Sequence, residues 1–303
     1  MTAPRSFARE ALSGAKRRAI NGVMRVLPVG LSVRLQYLRA HRRWPDLAAP
    51  KRFTEGLQWL KLHGGLERHG DWVDKVVAKE RVAETLGRQW ITPTLWHGPR
   101  LPPREERTWP TPYVIKANHG SGWMRHVVTE ADKDWASIEY ECARWMRLRW
   151  HPHLHERQYE AIAPQLLVEP RLCGQSDVLP RDYKVHVFGG RAAFMAVIVG
   201  RADDLRIGVM DRDWRLLPFR LSDFAGVDAA PERPPHADEM FEAAERLARP
   251  FPYARVDFYD LPEGPRFGEI TLTPSSGLLA VTPDEWDERI GAMLALPSRA
   301  RKG

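Results

Sequence analysis

Two carboxylates open the reading: Asp257 in RVDFYD and Glu269 in FGEIT. Both lie in β-like runs that form the arms of one hairpin, so pairing of the arms brings them within a few ångströms. Two such groups repel unless a cation or a proton lies between them. Paired hard oxygen ligands suit Mg²⁺, which takes one or two protein carboxylates and completes its shell with phosphate and water. The plain alternative is two solvated strand charges. Val256, Phe258, Phe267 and Ile270 beside them favour a site.

Four lysines come next. Lys75 and Lys79 are spaced as one turn of a helix, DKVVAKERVAETLG. Lys116 closes a strand in VIKANHGSG, and Lys184 opens one in RDYKVHVF. A lysine at a strand end beside a loop of free backbone N–H groups can cradle phosphate. Each lysine alone reads as a surface charge, and HGSG lacks the GK[ST] of a P-loop. His119 alone is a turn residue, and Arg255 a surface charge. His151, His153 and His155, in HPHLH, read as a solvated loop; with no cysteine near, zinc is disfavoured.

The elements that must position these groups follow from apolar spacing. TEGLQWLKLHG predicts a helix capped at Thr54, and DWVDKVVAKERVAETLG a helix ending at Gly87. WITPTLW predicts a short strand. YVIKA and MRHVVT predict a hairpin with a glycine-rich tip, ADKDWASIEYECARWMRLRW a helix, and QLLVEPRL a strand. DYKVHVFGGRAAFMAVIVG predicts two strands about a Gly-Gly turn. RIGVMDRDWRLLPF predicts a strand pair, HADEMFEAAERLARPF a helix, and ARVDFYDLPEGPRFGEITLTP a long hairpin. The fold class is α+β with many antiparallel strands.

Of the chain's 46 basic and 39 acidic residues, 12 and 2 lie in residues 1–52, leaving 34 and 37 for the rest. The basic character thus belongs to an N-terminal segment, which argues against a nucleic-acid-binding body. Within it, Ala8, Ala11, Leu12, Ala15, Ala19, Ile20, Val23 and Leu27 recur at helical steps up to Pro28, and LSVRLQYLRAHRRWP follows. One reading is adhesion to an anionic membrane surface; the other is a helix packed on the body with a solvated basic face. No run reaches the ~18 apolar residues of a spanning helix, and the N-terminus has no secretory apolar core. Two cysteines are too few for a disulfide scaffold. The expected location is the cytoplasm, with a peripheral contact at the inner face of the membrane.

Taken in order, FTEGLQWLKL, DKVVAKERVAETLG, YVIKANHGSG, QLLVEPRL, RDYKVHVFGGR, ARVDFYD, FGEITLTPSSG and TPDEWDERIG resemble the TupA-like branch of the ATP-grasp enzymes, associated with cell-surface polysaccharide synthesis. The resemblance runs from about residue 51 to 292. It implies an ATP-grasp fold whose two α+β subdomains, with antiparallel sheets, clamp ATP. The corresponding divisions are a basic helical extension (1–50), an N-terminal subdomain (51–110), a central subdomain with the flap (111–168) and a C-terminal subdomain with the metal site (169–303). It also implies roles. Lys75 and Lys116 resemble the lysines on the α- and β-phosphates, and His119, Gly120, Ser121 and Gly122 the flap over the triphosphate. Glu169 is similar to the segment that reads adenine, its side chain free for the adenine amino group or the ribose. Asp257 and Glu269 resemble the Mg²⁺ carboxylates. Thr271 stands where the wider superfamily has Asn, which weakens a second Mg²⁺ position. Arg255 and Lys184 are similar to cations near the transferred phosphoryl group. Trp123 and Met124, directly after the loop, imply a shorter and stiffer flap. The implied activity is an ATP-dependent, ADP-forming carboxylate–amine ligase joining an amine or amino acid to a uronic acid of a surface glycan. A phosphotransferase acting on a sugar hydroxyl and a non-catalytic, membrane-docked scaffold are the alternatives.

Overall fold

Alternation along each strand decides which side chains face the core. A computed structural model describes residues 20–173, 180–200, 205–221 and 224–297. Two sheets organise them. The smaller has the order β1-β4-β2-β3, from Trp96–Gly98 (β1), Tyr113–Ala117 (β2), Met124–Val127 (β3) and Leu166–Pro170 (β4). The larger has the order β10-β9-β5-β6-β7-β8: Asp182–Phe188 (β5), Arg191–Val199 (β6), Arg206–Met210 (β7), Ala225–Gly226 (β8), Tyr253–Leu261 (β9) and Gly264–Thr271 (β10). All neighbours are antiparallel except β7 and β8.

The helices cover these sheets. They are Val29–His41 (α1), Phe53–His63 (α2), Gly70–Val73 (α3), Val77–Leu86 (α4), Trp135–Arg147 (α5), Ala237–Ala248 (α6) and Glu285–Gly291 (α7). The apolar face of α6 (Met240, Phe241, Ala244, Leu247) joins Val82 of α4 and Val185, Val256 and Phe258 of the large sheet in one core. Phe53, Leu57 and Leu60 of α2 pack with Phe188, Phe194 and Tyr253. A separate core under the small sheet holds Trp109, Ile115, Ile138, Trp145 and Val168.

Four expectations are corrected. Helix α2 starts at Phe53, not at a Thr54 cap. Glu55 accepts the backbone N–H groups of Asp46, Lys51 and Arg52, while Thr54 gives its N–H and hydroxyl to the buried Asp287. Lys75 does not start a helix with Lys79. The chain breaks at Asp74, whose carboxylate accepts the N–H of Val76 (2.8 Å) and so caps α4 from outside. WITPTLW is a strand only at its end, because Arg88–Trp90 is a 3-10 turn and Pro93 lacks the ladder donor. The second strand around the Asp-Arg-Asp turn is reduced to a single bridge, Met210 to Leu216.

The proposed N-terminal amphipathic helix lies outside the described residues up to residue 19; residues 20–26 are helical and end before Pro28. Helix α1 buries Ser32, Val33, Gln36 and Tyr37. Its inner side covers the His-rich stretch: Gln36 Nε2 donates to His153 O (2.7 Å), and His155 Nε2 hydrogen-bonds with Ser32 Oγ (2.8 Å). His155 is therefore buried beneath α1 and His153 partly so, while His151 at the start of HPHLH stays exposed as expected. Among the described residues no group of three or more His, Cys, Asp or Glu is placed to hold a metal.

Gly291 lets α7 meet the entry of α2, since a Cβ there would strike the backbone of Lys51 and Arg52. Gly291→Ala should therefore lower the unfolding free energy by about 1–3 kcal/mol. Urea denaturation measures this, and an unchanged midpoint contradicts it.

Candidate active site

A β-bulge decides the chemistry of the large sheet. Phe267 pairs with Phe258, but Glu269 pairs with Asp257, so Gly268 is the extra residue. Strict alternation would put Phe267 and Glu269 on one face. The bulge turns Glu269 and Thr271 to the face of Asp257 and leaves Phe267, Ile270 and Leu272 in the core. Gly268 leaves little room for a larger residue, since a Cβ would come 3.1 Å from Asp257 O. On β5, Lys184 pairs with Asp257 and His186 with Arg255. The polar residues of β5, β9 and β10 thus form one patch.

Inside that patch Arg255 grips Asp257 with two bonds of 2.7 Å and reaches Glu269 Oε1 (3.3 Å) and Thr271 Oγ1 (3.2 Å). Lys184 Nζ lies 2.7 Å from Asp257 and 2.5 Å from Asp182. Burial alone would lower the Arg255 and Lys184 pKa values and raise that of Asp257. The mutual attraction outweighs it, so Arg255 and Lys184 are raised and Asp257 is lowered. Asp182 goes the other way, raised by burial and then by Asp257. Its Oδ1 is buried with no hydrogen-bond partner among the described residues.

The small sheet faces this patch with a second charge cluster. Glu169 on β4 is buried between Lys116 (2.6 Å) and Lys79. Burial pushes its pKa up, and the two lysines more than compensate, leaving it lowered. Lys75 donates to Gly120 O (2.6 Å) and lies 3.9 Å from Glu269; burial lowers its pKa against the pull of Glu269. Asn118 ties these parts together. Its amide donates to Asp74 Oδ2 (2.9 Å) and Ala163 O (3.0 Å), and its Oδ1 accepts from Gln165 N (2.7 Å).

Between the two clusters lies a cleft of about 950 Å³. Of the twelve residues given site roles through the family resemblance, Lys75, Lys116, Ser121, Glu169, Lys184, Arg255, Asp257 and Glu269 line it. Four do not. His119 is buried beneath the loop, hydrogen-bonded to Asn118 and to Leu148 O, with its pKa lowered by burial. Gly120 meets Lys75 through its carbonyl, and a Cβ there would collide with Trp123. Gly122 supplies a left-handed turn (φ 74°), and the Thr271 hydroxyl is turned to Arg255. The side chain of Glu169 lines the cleft while held by both lysines. Sequence reasoning missed Asp182 and the roles of Lys79, Asp74 and Asn118. Asp182 was findable, because D-Y-K puts it on the face of Lys184.

Residues 55–295 match the family model described as TupA-like ATPgrasp. The chain belongs to the TupA-like ATP-grasp family. No curated protein matches it. Among solved structures, D-alanine–D-alanine ligase from Bacillus anthracis matches at 15% identity and a TM-score of 0.45, over 74% of this chain and 65% of that one. The ATP-grasp ligase PsnB complexed with a minimal precursor matches at 12% and 0.38, over 68% and 53%. L-amino acid ligase from Bacillus licheniformis matches at 12% and 0.39, over 66% and 44%. This TupA-like chain spans less than two thirds of the length of each. Family membership confirms the α+β ATP-grasp fold expected from the motifs.

Two substitutions test the site's electrostatics. Glu169→Gln leaves two largely buried ammonium groups without a counter-charge and should cost about 3 kcal/mol by urea denaturation. Adding Lys79→Met should recover part of the loss; full stability of the single variant contradicts the pairing. Burial, then the Arg255 charge, lowers the His186 pKa from 6.5 to about 3. The unfolded chain binds that proton first, so stability is held above pH 6.5 and falls as the pH drops toward 3, by up to about 1.4 kcal/mol per pH unit. His186→Gln should flatten this slope, and an identical pH profile contradicts the assignment.

Proposed function

We propose that this chain is an ATP-dependent carboxylate–amine ligase that joins an amine or amino acid to a uronic acid of a surface glycan or its precursor. The observation that carries the reading is the opposition of two charge clusters across one cleft: Lys75, Lys116 and Glu169 on one side, and Lys184, Arg255, Asp257 and Glu269 on the other. A polyphosphate between them meets lysines from both sides.

The donor set also fits a Mg²⁺ ion. Asp257 and Glu269 are directly opposed, and a pair of carboxylates completed by phosphate oxygens is the usual Mg²⁺ environment. Arg255 already neutralises Asp257, so the more exposed Glu269 is the principal protein ligand in this reading. When bound, the ion would neutralise phosphate charge. Lys75 and Lys116 hold the α- and β-phosphates, and Ser121 on the glycine-rich loop lies over the triphosphate. Arg255 and Lys184 neutralise the γ-phosphoryl group as it moves. A substrate carboxylate attacks the γ-phosphorus, the bond to the β-phosphate oxygen breaks, and ADP leaves. The neutral amine then attacks the acyl carbon, phosphate leaves, and the ammonium nitrogen loses its proton to give the amide. The residues act by placing the groups and spreading charge rather than by covalent chemistry. The basic N-terminal segment adds a peripheral membrane contact to this reading.

An ATP-turnover screen of uronic acids paired with amino acids tests the proposal. ADP and phosphate should appear only when both partners are present, with a product mass equal to acid plus amine minus water. Asp257→Asn should reduce turnover at least about a hundredfold. Turnover untouched by Asp257→Asn overturns the ligase site. A product that gains phosphate instead makes the protein a phosphotransferase.

A further inference from the structure

We infer that the folded segment from Val23 to Trp44 is a docking face for an anionic lipid surface. Among the described residues, fourteen large apolar side chains are exposed, and six of them fall here: Val23, Val26, Val29, Leu31, Leu38 and Trp44. Scattered single exposures are ordinary, whereas a concentration of this kind marks an interaction surface. Val26 is 81% exposed and Trp44 is 53% exposed, so neither serves the core.

The outer face of α1 carries two of the six, Leu31 and Leu38. Leu31, Leu35 and Leu38 recur at steps of four and three, opposite the buried Val33, Gln36 and Tyr37. Arginines surround that stripe: Arg34, Arg39 and Arg42 lie three or four residues from its members, and Arg25 precedes it. None of these four arginines has an acidic partner among the described residues, and no acidic residue occurs between Glu10 and Asp46. Leucines with an exposed tryptophan can enter the headgroup boundary while arginine stems lie along it and their heads reach lipid phosphates.

Other occupants fit less well. A nucleic acid would use the arginines and leave the leucines in water. A second copy would bring two like-charged faces together. The inner side of α1 adds a consequence: His41 Nε2 bonds Gly277 O (3.1 Å), six residues beyond Thr271. Docking therefore holds the end of the cleft-lining strand β10 close to the lipid surface. In a ligase of the kind proposed above, that placement favours an acceptor glycan presented at a membrane. This last step rests on the ligase reading; the docking itself does not.

Sedimentation of the full chain with vesicles, without nucleotide, tests the inference and leaves the ligase reading untouched if it fails. The protein should bind vesicles containing phosphatidylglycerol, not vesicles of phosphatidylcholine alone, and binding should weaken with salt. At roughly fivefold per basic charge near an anionic surface, removing two should cost about thirtyfold; Arg25→Glu combined with Arg39→Glu should lose at least that. Leu31→Gln combined with Leu38→Gln should lower binding roughly tenfold through lost apolar burial. Tyr140→Ser, an exposed aromatic on α5, should change nothing. Equal binding to both vesicle types, or wild-type binding by both double variants, overturns the docking face. So does lipid-free dimerisation that either double variant abolishes, with no vesicle binding.

Discussion

The salt-bridged carboxylate of Asp257 is the constraint on which the rest of the site depends. It is buried on the middle strand of three, where an unpaired charge would be prohibitively costly. Arg255 and Lys184 neutralise it from two directions. That arrangement requires β5, β9 and β10 to be in one register, and it requires the Gly268 bulge to bring Glu269 to the same face. Asp182 and Glu269 also contact these two cations, so the patch is internally compensated where it lines the cleft.

The opposite wall is built on the same logic. There one carboxylate, Glu169, holds two lysines. Lys75 is fixed differently, by a carbonyl of the glycine-rich loop, and the Asp74–Asn118 contact sets the turn that carries it. Trp123 packs on His119 and Trp150 and closes the space over Gly120. The loop is thus seated on aromatic packing. An incoming polyphosphate must exchange these internal partners for its own oxygens, so the cleft is charged yet internally compensated before a ligand arrives.

Much of this was legible in the residues. Period-two alternation marks the strands of both hairpins, and the carboxylates and lysines at their ends are recognisable from type and position. The order of weak motifs adds the family. Three things were not legible, each for a physical reason. The helix break at Lys75 depends on Asp74 capping α4 and on Asn118, forty-four residues away, binding its other oxygen. The pairing of Glu169 with Lys79 and Lys116 depends on how α4 sits against the small sheet. The face of Glu269 depends on a bulge, and alternation alone assigns it to the core side. His119 shows the reverse error: a residue in a functional-looking loop serves as a buried hydrogen-bonded prop.

The most direct test of a metal-assisted nucleotide site is calorimetric titration with a non-hydrolysable ATP analogue, with and without Mg²⁺, on the wild type, Lys116→Met and Glu269→Gln. Opposed phosphate-binding and metal-binding walls predict binding that is strengthened by Mg²⁺, weakened by Lys116→Met at any Mg²⁺ level, and stripped of its Mg²⁺ dependence by Glu269→Gln. Nucleotide affinity that ignores Mg²⁺ and both substitutions would contradict the assignment of this cleft.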